Sequence, residues 1–289
     1  VQVLQLLSSG LTLGAIYALV ALGFHVVFRM TGIIDFAQGD KVVVGGLVGL
    51  TIIDHGLSNV VLVLILMLAI GLVFGAVYDV LVILPSQRNG SVAAVAATVG
   101  MSLVLANGHQ VIYGPNARTF PPVVGGSFKV GDLLIAWQSV VIWTVLLVVG
   151  VAFGLLMTRT RIGRGMIAAA TDATAATAAG INVSRSRSIA FGLAFGLATL
   201  AGVLIAPITL AGGALGTSLT LKGFTGAVLG GLSSTTGTIV GALLLGVFES
   251  EIALTIPDGA VEPAIFGALI VVLLVMPNGL FGLRRQRLA

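Results

Sequence analysis

The chain of 289 residues has no cysteine, which excludes disulfides, thiol catalysis and cysteine metal sites. Charge is almost as scarce: 8% of residues are Asp, Glu, Lys or Arg, against about a quarter in a soluble domain. Its three histidines, His25, His55 and His109, are scattered without metal-ligand spacing, so no metal site is expected. No lysine-bearing phosphate loop occurs in a strand-turn-helix setting, so the chain has no means of binding ATP itself. No catalytic arrangement emerges either, and a transport role without enzymatic chemistry fits the sequence better.

What the chain has is hydrophobicity, 57% of its residues with a mean hydropathy of +1.16. Residues 1–28, 55–78, 89–117, 133–158, 188–221, 223–248 and 263–283 carry no charged side chain, and each is long enough for a helix crossing of roughly 20 residues. The runs lack the two-residue alternation of a transmembrane barrel, which leaves helices to satisfy the backbone in lipid. The expected fold is an all-α polytopic membrane protein, one domain over 1–289 in two pseudo-repeated halves. About eight spans are expected, at 3–28, 31–53, 58–84, 91–112, 137–158, 188–211, 237–256 and 262–281, with a short, broken, glycine-rich segment at 217–232. The first 28 residues read as a span, lacking the basic start and cleavage site of a signal peptide.

The basic residues mark topology rather than a nucleic-acid surface, and no nucleic-acid partner is expected. Arg159, Arg161, Arg164, Arg185 and Arg187 against Asp172 give residues 159–187 a charge of +4, equal to the whole chain's balance. That loop is therefore expected in the cytoplasm, with a periplasmic loop at 113–136 and the N-terminus outside. Arg284, Arg285 and Arg287 also ask to be inside, which requires 217–232 to complete a crossing. Glycine supplies 40 residues, with G-x-x-x-G spacings from Gly10/Gly14 to Gly237/Gly241. Close packing within the subunit accounts for most such pairs, dimerisation for a minority.

Two stretches break the apolar runs with polar residues, Arg29 to Lys41 and Ser218 to Ser234. Each adjoins a short glycine-rich piece, in the manner of the paired broken helices that line transporter paths. Asp35, Gln38 and Asp40 are candidate solute contacts, because ionisable groups in a span normally face a cavity or a partner. A structural ion pair of Asp35 or Asp40 with Arg29 or Lys41 is the competing expectation. Thr98, Ser102 and Asn107 are further path candidates, weighed against bonding to their own helix backbone. Glu249 and Glu251 are expected to face water, and His25 and His109 to be satisfied within helices.

In residues 163–179 a short helix is expected, with Arg164, Ala168 and Asp172 on one stripe and Met166, Ala169, Ala173 and Ala176 on an apolar one. Gly180 suits a left-handed stop and Ile181 the apolar contact after it. Small residues on this helix allow a partner to approach closely.

The segment RTRIGRGMIAAATDATAATAAGINVSRSRSIAFGLAFGLATLAGVL resembles the coupling loop and next span of the branched-chain amino acid (LIV-type) permeases of ABC importers. GLTLGAIYALVALGFHVVFRMTGIIDFAQGD, KGFTGAVLGGLSSTTGTIVGALLLGVFE and VLLVMPNGLFG are similar to the same family in order and spacing. The resemblance implies a bacterial inner-membrane permease subunit that pairs in the bilayer with a second LIV-type permease. It further implies two cytoplasmic ATPases that carry ATP and Mg, and an extracytoplasmic solute-binding protein. It assigns ATPase coupling to Arg161, Gly163, Arg164, Ala168, Ala169, Asp172, Ala176, Gly180 and Ile181. It places Phe36, Gly39, Phe224 and Thr225 near the solute path, with Asp35, Gln38 and Asp40. Where the family commonly has Asn and His, this chain has Asp35 and Gln38, so the solute could be a branched-chain amino acid or a urea-like or short-amide relative. A self-sufficient secondary transporter or channel for a small solute is the alternative, and a structural scaffold a third.

Overall fold

The computed structural model describes residues 2–57, 59–114, 122, 124–131, 133–209, 215–276 and 279–281. The expected C-terminal arginines and part of the 113–136 loop lie outside them. Twelve α-helices are described: α1 (Gln2–Thr31), α2 (Gln38–Asp54), α3 (Val60–Tyr78), α4 (Leu84–Gln87), α5 (Ser91–Tyr113), α6 (Trp137–Arg159), α7 (Arg161–Thr171), α8 (Ala173–Ala178), α9 (Val183–Ile205), α10 (Leu215–Gly230), α11 (Thr235–Ile252) and α12 (Asp258–Val275). Six described helical runs are long and apolar enough to cross a membrane, α12 is a shorter apolar helix, and α2 and α10 are shorter helices of mixed polarity. The chain is thus an α-helical, multi-pass membrane protein.

A π-helical turn, Asp79–Ile83, joins α3 to α4. Pro85 explains it: a proline has no N–H to donate and its ring crowds the preceding turn, and a widened turn absorbs both.

The centre is formed by α1 and α9, each with 83% of its apolar stretch buried, against 11% for α5 and 22% for α6. Helices apolar on every side belong inside a bundle. Their neighbours repeat a pattern. Helix α1 packs chiefly on α11 and α9 on α3, while α10 lies against α1 as α2 lies against α9. Exchanging α1 with α9, α2 with α10 and α3 with α11 maps these four contacts onto one another, as two pseudo-repeated halves would, although α10 packs on α11 far more extensively than α2 on α3.

Glycines make these contacts possible. Gly10 and Gly14 meet the backbone of Val247 and Leu243, an antiparallel crossing, and Gly71 and Gly75 meet Gly196 and Gly192 in the same sense. In lipid, where apolar burial drives nothing, such approach and its dispersion contacts hold helices together. Gly154 is different, with open space where a side chain would go.

The structure corrects several boundaries. Residues 32–37 are not helical, so the span expected from 31 starts at Gln38. The expected helix 163–179 is broken at Asp172. A short antiparallel hairpin accompanies the helices, β1 (Ser127–Val130) and β2 (Leu133–Ala136), with Ser127 opposite Ala136. Gln5 fastens it to α1 by donating to Leu134 O at 2.9 Å and accepting from Leu134 N at 3.2 Å.

Candidate functional site

The two polar interruptions meet inside the bundle. Gly39 N donates to Thr220 Oγ1 at 2.9 Å, and a side chain at Gly39 would strike the Gly216 carbonyl. The first turns of α2 and α10 therefore abut, N-terminus to N-terminus. The partial positive charges of two helix starts repel unless anions lie nearby. Each start has one from the chain itself. Asp35 Oδ1 accepts from Ala37 N at 3.1 Å ahead of α2, and the Asp40 carboxylate rests against Gly216 in the first turn of α10.

Asp35 also pairs with Lys41, fully buried one turn into α2. Tyr78 OH donates to Asp35 Oδ1 at 3.4 Å, while Lys41 Nζ lies 4.5 Å from the Tyr78 ring centroid and 5.4 Å from that of Phe195. The structural ion pair is therefore the one formed, while Arg29 is exposed. Burying a charge is tolerable only when it is paired and bonded in this way.

Gln38 is fully buried, and its Nε2 donates to Ala194 O at 2.9 Å across Gly23. Its Oε1 is buried with no partner among the described residues. From α5, Ser102 donates to Asp40, and Thr98 Oγ1 donates to Val95 O at 2.8 Å while accepting from Phe36 N at 3.2 Å. The structure thus gathers Asp35, Phe36, Gln38, Gly39, Asp40, Thr98 and Ser102 at one junction. Asn107 is not part of it: the side chain is exposed and bonds Leu103 O of its own helix. Phe224 and Thr225 lie further along α10, with Phe224 edge-on to Phe24 at 5.7 Å and Thr225 buried.

His25 is satisfied, with Nδ1 2.7 Å from Leu232 O and Nε2 3.0 Å from Thr235 Oγ1. His109 bonds Leu105 O of its own helix through Nδ1, but its buried Nε2 has no partner among the described residues. Glu251 is exposed as expected. Glu249 is not: it turns inward and its Oε1 lies 2.6 Å from Lys222 Nζ, because a carboxylate and a lysine face each other across α10 and α11.

At one end of the bundle the chain turns through α7 and α8. Thr160 Oγ1 accepts from Gly163 N at 3.0 Å to start α7, and Gly163 lies so close to the Leu156 carbonyl of α6 that any side chain would collide. Met166 and Ala169 of α7 and Ala176 of α8 are buried beneath, whereas Arg161, Arg164 and Asp172 are exposed. Ala168 is partly covered. Asp172 is a cap rather than a member of a stripe: its Oδ1 accepts from Thr174 N and Ala175 N, each at 2.9 Å. Ala173 is accordingly exposed rather than apolar-facing. Helix α8 ends with Gly180 at φ +82°, Gly180 N donating to Thr177 O and Ile181 N to Ala176 O, the bonds of a glycine-stopped helix.

Two further groups went unanticipated. Asp79, fully buried at the π-helical turn, accepts from Arg187 Nε at 2.7 Å and from Ser188 Oγ at 2.6 Å, and Arg187 also reaches Gln87 at 3.1 Å. An acid in the run AVYDVLVIL was the available signal. Tyr17, buried mid-helix in α1, lies against Lys222, whose Nζ is 5.8 Å from the ring centroid.

The sequence pattern of the family described as "Branched-chain amino acid transport system / permease component" matches residues 6–276. The chain is 30% identical over 293 residues to the high-affinity branched-chain amino acid transport system permease protein BraD of Pseudomonas aeruginosa, covering 96% of this chain and 95% of that one. The permease protein LivH of the same kind of system in Escherichia coli is similar to the same extent, 30% with 96% and 95% covered. The ribose import permease protein RbsC of Escherichia coli is 30% identical over 256 residues, 83% of this chain and 75% of that protein. No solved structure is a significant match. The chain belongs to the branched-chain amino acid transport system permease family and is a transport permease subunit.

Proposed function

We propose that this family member is the inner-membrane permease subunit of an ABC importer for a small polar solute, a branched-chain or similar amino acid. A second permease of the same type completes the path. Two cytoplasmic ATPases supply ATP and Mg chemistry that this chain lacks, and a binding protein delivers solute from the opposite side. The observation that carries this reading is the α7–α8 elbow. It is wedged onto α6 by Gly163, buried along one side, and leaves Arg161, Arg164 and the capped start of α8 open to a partner.

In this reading the elbow is cytoplasmic and the hairpin at 127–136 faces the binding protein. Movement of the ATPases reaches α6 and α9 through the elbow, and the two halves rock about the α1–α9 axis. Such a signal requires an element whose contacts differ between states. The junction of α2 and α10 is where the halves meet, so Asp35 to Asp40, Thr98 and Ser102 hold the joint that must shift beside the solute path.

The test is co-expression with the neighbouring genes and replacement of Arg164 by Glu. ATPase association and ATP-driven uptake should fall while the thermal stability of the isolated permease is unchanged. Retained association and full uptake would refute the docking assignment. Solute uptake by this chain alone, indifferent to ATP, would refute the importer reading itself.

A further inference from the structure

The two short helices each carry one lysine, paired with a carboxylate and set near an aromatic ring of a core helix, and the two are finished differently. Lys41 of α2 pairs with Asp35 and lies on Phe195 of α9; Lys222 of α10 pairs with Glu249 and lies on Tyr17 of α1. Under the exchange of halves, α2 corresponds to α10 and α9 to α1. The first pair is sealed, its side chains 0% and 1% exposed, and aromatic rings cover the ammonium. The second is closed less completely, 12% exposed on both partners.

Polar side chains also lead to the second pair from the surface. Glu262 is exposed on α12 and accepts from Ser218 Oγ at 2.8 Å; Ser218 is one helical turn ahead of Lys222. The pair has unused capacity. Glu249 Oε2 is buried with no hydrogen bond within 3.5 Å among the described residues, and a buried carboxylate oxygen left so is costly unless another group visits it. A charged pair within a membrane bundle that is not fully sealed points to a solute or ion path ahead of a packing device.

We propose that Lys222 and Glu249 form a solute contact of this permease, suited to a solute that carries an ammonium and a carboxylate a few ångströms apart, an α-amino acid. The solute carboxylate takes Lys222 and its ammonium takes Glu249 Oε2, so the pair opens without leaving either charge unmatched. An uncharged solute offers no such exchange. The proposal rests on the importer reading above.

The experiment uses the assembled complex of this chain with its second permease, ATPases and binding protein in liposomes, with labelled leucine and labelled ribose as probes. Lys222→Met/Glu249→Leu removes both charges, Lys222→Glu/Glu249→Lys exchanges them, and Glu251→Gln alters a neighbouring exposed carboxylate. The wild type should take up leucine and not ribose. Both double variants should assemble and hydrolyse ATP yet lose leucine uptake by about tenfold or more, as loss of a hydrogen bond to a charged group implies. Glu251→Gln should stay within about twofold, as a solvent-facing group would. Recovery of uptake on exchanging the charges would show a structural pair and overturn the proposal. So would failure of the charge-free variant to assemble, or wild-type uptake of ribose in place of leucine. Absence of any ATP-driven uptake by the wild-type complex would instead overturn the importer reading, and the proposal with it.

Discussion

Arg187 Nε lies 2.7 Å from Asp79 Oδ1, tying the first turn of α9 to the π-helical turn after α3. An arginine whose sequence position argues for sidedness is thus an internal strut. Asp79 is wholly buried and Arg187 13% exposed, so removal of one partner leaves an uncompensated charge. Asp79→Ala should lower stability by about 3–5 kcal/mol, and Asp79→Ala/Arg187→Met should recover much of that. Thermal unfolding of the purified permease in detergent reads both, and equal loss in the single and double variants would contradict the strut.

The close crossing of α1 and α11 depends on Gly246, whose added side chain would collide with the backbone of Gly14. Gly246→Leu should abolish the folded, monodisperse protein in size-exclusion chromatography, since separating two helix backbones exceeds the usual 1–3 kcal/mol of overpacking, roughly. Gly154→Leu, facing open space, should elute like the wild type.

Helix α8 has little besides its two ends. Asp172→Ala removes a cap for about 1 kcal/mol. Gly180→Ala forces a left-handed conformation on an L side chain, again about 1 kcal/mol. Each should speed hydrogen exchange at residues 174–179 while the membrane helices keep their protection. Unchanged exchange in both would mean a partner or the rest of the fold, rather than the caps, orders α8.

Helix α5 is thinly packed, and side-chain bonds from Thr98 and Ser102 attach it to residues 36–40. Ser102→Ala leaves the buried Asp40 carboxylate short of a donor, a cost of about 1–3 kcal/mol. Exchange should rise in α5 before it rises in α9, and a uniform rise across both would argue that α5 is held by packing instead.

The polytopic helical class, the short tenth helix and the Gly180 stop were legible because each is a local matter of hydropathy or backbone conformation, whereas the number and bounds of the spans were not. The partnership of Lys41 with Asp35 was legible as an option, since six residues in a tight polar stretch leave few alternatives. Glu249 was misread because its partner lies on another helix, 27 residues earlier, and pairing across helices has no local pattern. The break at Asp172 was missed because the residue satisfies two rules at once, a four-residue stripe and a helix cap. The cap prevails, for two backbone N–H groups are bonded there. Gln38 shows the limit for sites: polar residues in an apolar run indicate that something is bonded, not whether the partner is a solute or the backbone of Ala194.

Helix α1, with α9 the most deeply enclosed of the described spans, is made well before the helices that enclose it, α9 and α11. During synthesis α1 must therefore wait in lipid with its glycine edge uncovered while more than half of the chain is inserted. Contacts so distant in sequence form late. A chain halted before residue 183 would leave its future core as a surface, open to other membrane helices and to quality-control proteases.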